Sequence, residues 1–316
     1  MKIGIDVGGT KIAGGLLDGE TLVHEHKVPT SRAGADAVLR QIGDLVRTIC
    51  DNAHIKVSEL SGVGVGFPAT LDYAAGKTLL IPNILGDWWE KPVVNILSEN
   101  LGLSVSIIND ARAFTLAEAR LGAGQGAPSV ACFTLGTGIG GGIAINGKLH
   151  LGLSGSAGEV GHHSINFNGL PDGSGAPGGF EGYASGPAIT TMAVKAVLQG
   201  IDTTISDLVN GDINRITPQI IMQAAEQEDA VAIEILNRAG FYLGVGIANV
   251  LSILAPHRVV IGGGLVALGD WIMRPIRQTI PLYCRTLPIE AIQIHHAALG
   301  NKAGIIGAAL WAGEQT

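Results

Sequence analysis

Cysteine is scarce in this chain: Cys50, Cys132 and Cys284 lie far apart and in no Cys-x-x-Cys spacing. That pattern offers neither a disulfide framework nor a thiolate knuckle for a metal, so the three read as reduced, mostly buried thiols of a cytoplasmic protein. Charge is scarce as well, at 15% of 316 residues, with a formal net charge of −7 and no cluster of Lys or Arg. A nucleic-acid surface needs a basic stripe to neutralise phosphates, so no nucleic-acid partner is expected. A small phosphorylated ligand is still open, because backbone amides and one lysine suffice to hold it. No uninterrupted apolar run reaches the roughly 18 residues that a membrane helix needs. The opening MKIGIDVGGT has no charged n-region, apolar stretch or cleavage site, so neither a signal peptide nor a membrane partner is expected. Linkers and low-complexity segments are also lacking, and a domain boundary has to be inferred from repetition.

What is abundant is apolar residues, 47% of the chain, and glycine, 47 residues. This length and apolar content can bury a sizeable core and suggest two domains. Residues 2–7 read as a strand, Gly8-Gly9 as a turn and residues 11–17 as a second strand before Asp18-Gly19, a hairpin signal. Residues 23–29 would complete a meander. Val38, Ile42, Leu45, Val46 and Ile49 give 35–52 a helical spacing. The run GVGVG at 62–66 reads as a buried strand stopped by Pro68, 92–101 as a helix closed by Gly102, and 105–108 as a strand. Residues 129–135 form the next strand, which GTGIGGG breaks before 143–145 resumes. This strand, glycine turn and strand echo the opening, and the echo reads as a duplicated hairpin. Residues 151–186 are loop-like. Helices are expected at 187–199, 217–226, 230–254 (interrupted by Gly240, Gly244 and Gly246) and 301–312, with a strand at 258–261. The alternation implies an α/β fold with domains at 1–117 and 118–300, the first completed by the C-terminal helix at 301–316.

Three stretches carry chemistry. In IINDARAFTLAEA, a strand ends in Asn109-Asp110 just where a helix begins. Asp110 can accept a proton there and Asn109 can donate and accept hydrogen bonds, yet either residue could simply be the helix N-cap. DVGGTK places the Asp6 carboxylate, Gly8, Gly9, the Thr10 hydroxyl and the Lys11 ammonium within six residues. Its exposed amides form an anion nest and Asp6 can hold Mg²⁺ through water, although a glycine pair is also an ordinary hairpin turn. Gly136-Thr137-Gly138 is a second such turn. It matches GxGxxG superficially, but strand rather than helix follows, so no dinucleotide-binding reading results. Gly262-Gly263-Gly264 after a strand would admit a flat ring or ribose close to the backbone, and is equally a tight turn.

The ordered motifs DVGGTK, IPNILGDW, NDARAFTLAEA, LGTGIGGG, GEVGHH, FEGYASG and VVIGGGL span essentially the whole chain and resemble the ROK family of sugar kinases. The resemblance implies an actin-like ATPase, ribonuclease H-like duplication of two α/β domains with a cleft between them. It also implies ATP phosphates on the two glycine turns, adenosine near Gly262, Gly263 and Gly264, and a hexose held by Asn83, Asn109, Asp110, Glu159, His162 and Glu181. Asp110 would be the general base. A hexose kinase acting at the 6-hydroxyl of glucose with ATP and Mg²⁺, as a homodimer, is the expectation. An N-acetylmannosamine or N-acetylglucosamine kinase and a polyphosphate-using glucokinase are the alternatives. Repressors in the family carry a helix-turn-helix ahead of the first phosphate turn; here that turn begins at residue 6, so a sugar-sensing regulator is remote. A catalytically dead sugar-binding module is disfavoured, because Asp110 and both turns are intact.

Two departures stand out. Many members hold a structural zinc with three cysteines and a histidine after the GH motif, but residues 164–182, SINFNGLPDGSGAPGGFEG, contain no cysteine. His162-His163 alone cannot close a tetrahedral site, so no structural zinc is expected and the loop must be held by its own turns. Pro68-Ala69 replaces the Pro-Gly common in the family, which bears on the space near the sugar's 2-position.

Overall fold

The computed structural model describes residues 1–169, 171–312 and 314. Strands Lys2–Val7, Lys11–Asp18 and Thr21–Pro29 form the expected antiparallel meander, and Lys2–Val7 is followed on its other side by the parallel strands Val63–Phe67 and Val105–Asn109. Val63–Phe67 is buried along its whole length, as a central parallel strand covered on both faces should be. Helix Ala35–Asn52 turns Val38, Leu39, Ile42, Leu45, Val46 and Ile49 into the core, at the spacing read from the sequence. The opposite face receives the C-terminal helix Ala303–Trp311 at very close range. Gly4 and Gly64 are cross-strand partners, and a methyl on either would run into the carbonyl oxygens of Ile305 and Ala308.

The second sheet has the order Lys148–Leu149, Ile139–Ile145, Ser129–Leu135, Arg258–Gly262, Gln293–His296. It repeats the plan of the first: a hairpin and an antiparallel neighbour on one side, parallel strands on the other. The strand expected at 143–145 starts earlier, at Ile139, because Gly140, Gly141 and Gly142 sit in extended backbone rather than in a loop.

The chain divides into two compact units, Met1–Val130 with Gly142–Gly158 and Ala297–Thr316, and Ala131–Gly141 with Glu159–His296. A boundary after residue 117 would cut the continuous helix Asp110–Leu121, whose Ala113 lies against Gly307 of the C-terminal helix. Each unit has its own core, and the three cysteines are buried and form no disulfide.

Helix Ala230–Leu254 is uninterrupted, contrary to the reading of its glycines as breaks. Gly240 and Gly244 instead bring it against Pro275 and Thr279 of helix Asp270–Tyr283. It is the one described helix long and apolar enough to cross a membrane by length and composition. Its Ile235, Leu236, Leu243, Ile247 and Leu251 are nevertheless core residues of the second unit.

Candidate active site

In the first unit the register pairs Asp6 with Gly66 and Phe67 with Asn109. Asp6 and the Asn109-Asp110 pair therefore stand at the carboxyl ends of parallel strands in one sheet, the edge where open α/β sheets bind ligands. The turn after Asp6 is held from outside: Thr30 Oγ1 donates to Gly8 O at 2.6 Å and Thr30 N to Thr10 O at 3.1 Å. Gly8 N donates to Lys11 O at 2.9 Å, so the Gly8 amide closes the turn instead of joining an anion nest. That corrects the expectation of two exposed glycine amides; Gly9, Thr10 and Lys11 form the exposed tip. Burial pushes the Asp6 carboxyl up, and the Lys11 ammonium draws it partly back. In this turn the Asp6 carboxylate is a hydrogen-bond acceptor and the Lys11 ammonium an anion-attracting charge. Asn83 is exposed, and its carbonyl stands against Gly9, which places it beside the turn.

The helix cap is Asn109. Its Oδ1 accepts from Arg112 N at 3.2 Å and from Arg112 Nη1 at 2.9 Å, while its Nδ2 donates to Ala69 O at 3.2 Å. Tyr73 Oη accepts from Asn109 N at 3.2 Å. Asp110 is then the first helical residue, half-buried, with Oδ1 accepting from Ala111 N at 2.8 Å. Arg112 was not read from the sequence as part of the site. It is 3% exposed and also donates from Nη2 to Ala157 O at 3.0 Å. Its spacing three residues after the cap was the available signal.

In the second unit Gly136 N donates to Gly138 O at 2.9 Å, and Gly186 N to Gly136 O at 2.8 Å, fixing the second turn. Ile139 N donates to Glu181 Oε2 at 2.8 Å. A residue expected on the sugar is thus bonded to the backbone next to a turn expected on phosphate. Thr137 belongs to the same turn. Gly263, at φ 91° and pressed against Leu135, is a tight turn, whereas Gly264 faces open space; Gly262 closes its strand.

Glu159 is exposed, and His162 ends the short 3₁₀ turn Val160–His162, with Nε2 4.0 Å from Glu159 Oε2. His162 Nδ1 lies 3.0 Å from Asp172 Oδ2. Burial alone would lower the His162 pKa, but that hydrogen bond and the charges of Glu181, Asp172 and Glu159 outweigh it and raise it. Burial alone would push the Asp172 carboxyl up; its bonds from His162, Ser174 and Ala176 take it down to about 2. The ionised Asp172 therefore stabilises the fold above the ordinary carboxylate range, and this contribution is lost as pH falls toward 2. His163 is pushed down by burial, donates from Nδ1 to Val160 O at 2.6 Å, and lies tilted against Phe180 with centroids 5.3 Å apart. Among the described residues, no group of three or more His, Cys, Asp and Glu is arranged to hold a metal ion.

Two sheets built on one plan, each headed by a hairpin with a glycine turn, make this an α/β chain of the actin-like ATPase, ribonuclease H-like class. The chain belongs to the ROK family, whose model matches residues 2–315. It is 35% identical over 319 residues to a glucokinase of Streptomyces coelicolor, covering 98% of this chain and 96% of that one. It is 34% identical over 309 residues to a glucokinase of Halalkalibacterium halodurans, covering 96% and 92%. A solved ROK family glucokinase from Streptomyces griseus, in complex with glucose and AMPPNP, superposes with a TM-score of 0.83 at 34% identity, covering 98% of each chain.

Proposed function

We propose that this chain is a sugar kinase transferring the γ-phosphoryl group of ATP to the 6-hydroxyl of glucose, with Asp110 accepting the proton of that hydroxyl. The observation that carries the base is placement: Asn109 is the N-cap, while Asp110, whose Oδ1 also accepts from Ala111 N, stands half-buried just past the carboxyl end of its strand. The similarity to glucokinases along nearly the whole chain supports the substrate and the donor. Asn83, Asn109 and Asp110 are the proposed glucose ligands of the first unit, and Glu159, His162 and Glu181 those of the second. The turn at 8–11 is the proposed phosphate contact of the first unit, and the turn at 136–138 that of the second, with the adenosine near Gly264. ATP supplies the phosphoryl group; Asp6 would hold Mg²⁺ through water, and the ion would supply neutralisation of charge on the phosphate oxygens. Lys11 and the turn amides orient the phosphates, and a hexose needs the fixed donors and acceptors that these carboxylates and amides provide. The enzyme works in the cytoplasm, in keeping with three buried cysteines that form no disulfide. It is a homodimer, in keeping with exposed Phe241, Leu282 and Tyr283 on two neighbouring helices.

Asp110→Asn tests the base, because it keeps the size and one acceptor oxygen but cannot take the proton. Turnover should fall roughly 10² to 10⁴-fold, with glucose affinity by calorimetry within about tenfold of the parent. Near-parental turnover on a less stable protein would return Asp110 to a structural role.

A further inference from the structure

The loop without cysteines has a hub of another kind. The Asp172 side chain is fully buried. Its Oδ1 accepts from Ser174 N at 2.9 Å, Ser174 Oγ at 2.6 Å and Ala176 N at 3.1 Å. Its Oδ2 is left for His162 Nδ1, at 3.0 Å. Gly179 makes room for this arrangement, since a methyl there would run into the same Oδ2. The bridge between Ser164 and Gly179 and the bond from Phe180 N to His163 O at 2.9 Å tie both ends of the loop together behind it. One oxygen thus serves the loop and the other serves an imidazole outside it.

We infer that Asp172 is a positioning residue for sugar binding: its carboxylate fixes the ring plane and the protonated Nδ1 of His162, and so presents Nε2 to a glucose hydroxyl. The inference rests on the reading that His162 contacts the sugar. A partner on one ring nitrogen decides which proton the imidazole keeps and which way its other nitrogen points. Without Asp172 the half-exposed ring would be free to rotate toward Glu159 or Glu181, the other charged groups that face it. The loop architecture alone would not require this, because the Ser174 and Ala176 bonds all use the other oxygen.

Asp172→Asn separates the two tasks. Its amide oxygen can still accept from Ser174 and Ala176, but its NH₂ group faces His162 Nδ1 and demands the other tautomer. The Michaelis constant for glucose should rise about tenfold or more, with turnover within about threefold and the constant for ATP unchanged. Nitrogen-15 NMR of the His162 ring should show an Nδ1-protonated imidazole in the parent, with an elevated titration midpoint, and loss of both in the variant. Ser174→Ala weakens the loop hub without touching the imidazole, so it should lower the melting temperature and leave the glucose constant near the parent's. His162→Gln checks the underlying reading: if it leaves glucose binding intact, both that reading and this inference fail. If His162→Gln weakens glucose binding while Asp172→Asn does not, the inference alone fails. Should Asp172→Asn not fold, an Nε2-protonated His162 with an ordinary midpoint in the parent protein overturns the inference.

Discussion

At Gly138 the two proposed ligand sites meet in one residue. A side chain there would press on the Glu181 carboxylate, which is already bonded to Ile139 N. Gly138→Val should therefore raise the Michaelis constants for ATP and for glucose together, each by about tenfold, since displacing one hydrogen-bonded carboxylate typically costs 1–3 kcal/mol. Initial-rate kinetics with each substrate varied in turn would check it; an effect on ATP alone would detach Glu181 from the sugar. The candidate ligands were legible because each stands in an ordered motif, and Asn109 and Asp110 also stand at a strand end before a helical pattern. The division of labour between those two was not legible, since both are good caps and only the bond from Arg112 N to Asn109 Oδ1 decides it. Asp172 was invisible for a related reason. A lone aspartate in a glycine-rich loop reads as turn chemistry, and its second oxygen finds His162 only once the loop is folded.

At the scale of elements, the fit between the first sheet and the C-terminal helix depends on two facing glycines. Gly64→Ala should destabilise the protein by roughly 1–3 kcal/mol, the range for overpacking a well-packed contact, because the methyl meets backbone rather than a movable side chain. A fall in the urea midpoint at unchanged slope would show it, and an unchanged midpoint would mean that the helix can withdraw at little cost. Periodicity found helices Ala35–Asn52 and Ala230–Leu254 with their ends in place. It missed Asp270–Tyr283, whose Pro275 and Pro281 argue against a helix on local grounds. Tertiary contact wins there: Pro275 fills the space that Gly240 leaves open. The hairpin of Thr70–Asp72 and Lys77–Leu80 was also missed, since strands of three and four residues carry too little alternation to register.

For the whole molecule, the duplicated hairpin was visible in sequence as two similar strand-turn-strand stretches, and so was the return of the C-terminal helix to the first unit, whereas the exchange of segments 131–141 and 142–158 was not. The second unit is assembled from two separate segments and the first from three, and no linker composition marks the crossings. Cys50 lies in the first unit and Cys132 and Cys284 lie in the second, all at most 1% exposed. Burial also pushes the Cys50 thiol up, further from the reactive thiolate. A chromogenic disulfide reagent should therefore label no thiol in the native protein and three per chain in denaturant, and prompt labelling of the native protein would contradict the burial. In intermediate denaturant the stoichiometry becomes a readout that needs no engineered probe: one modified sulfur per chain reports opening of the first unit, two report opening of the second. The chain carries its own unequal isotope-like tags, and mass spectrometry of partially labelled molecules would tell which half melts first.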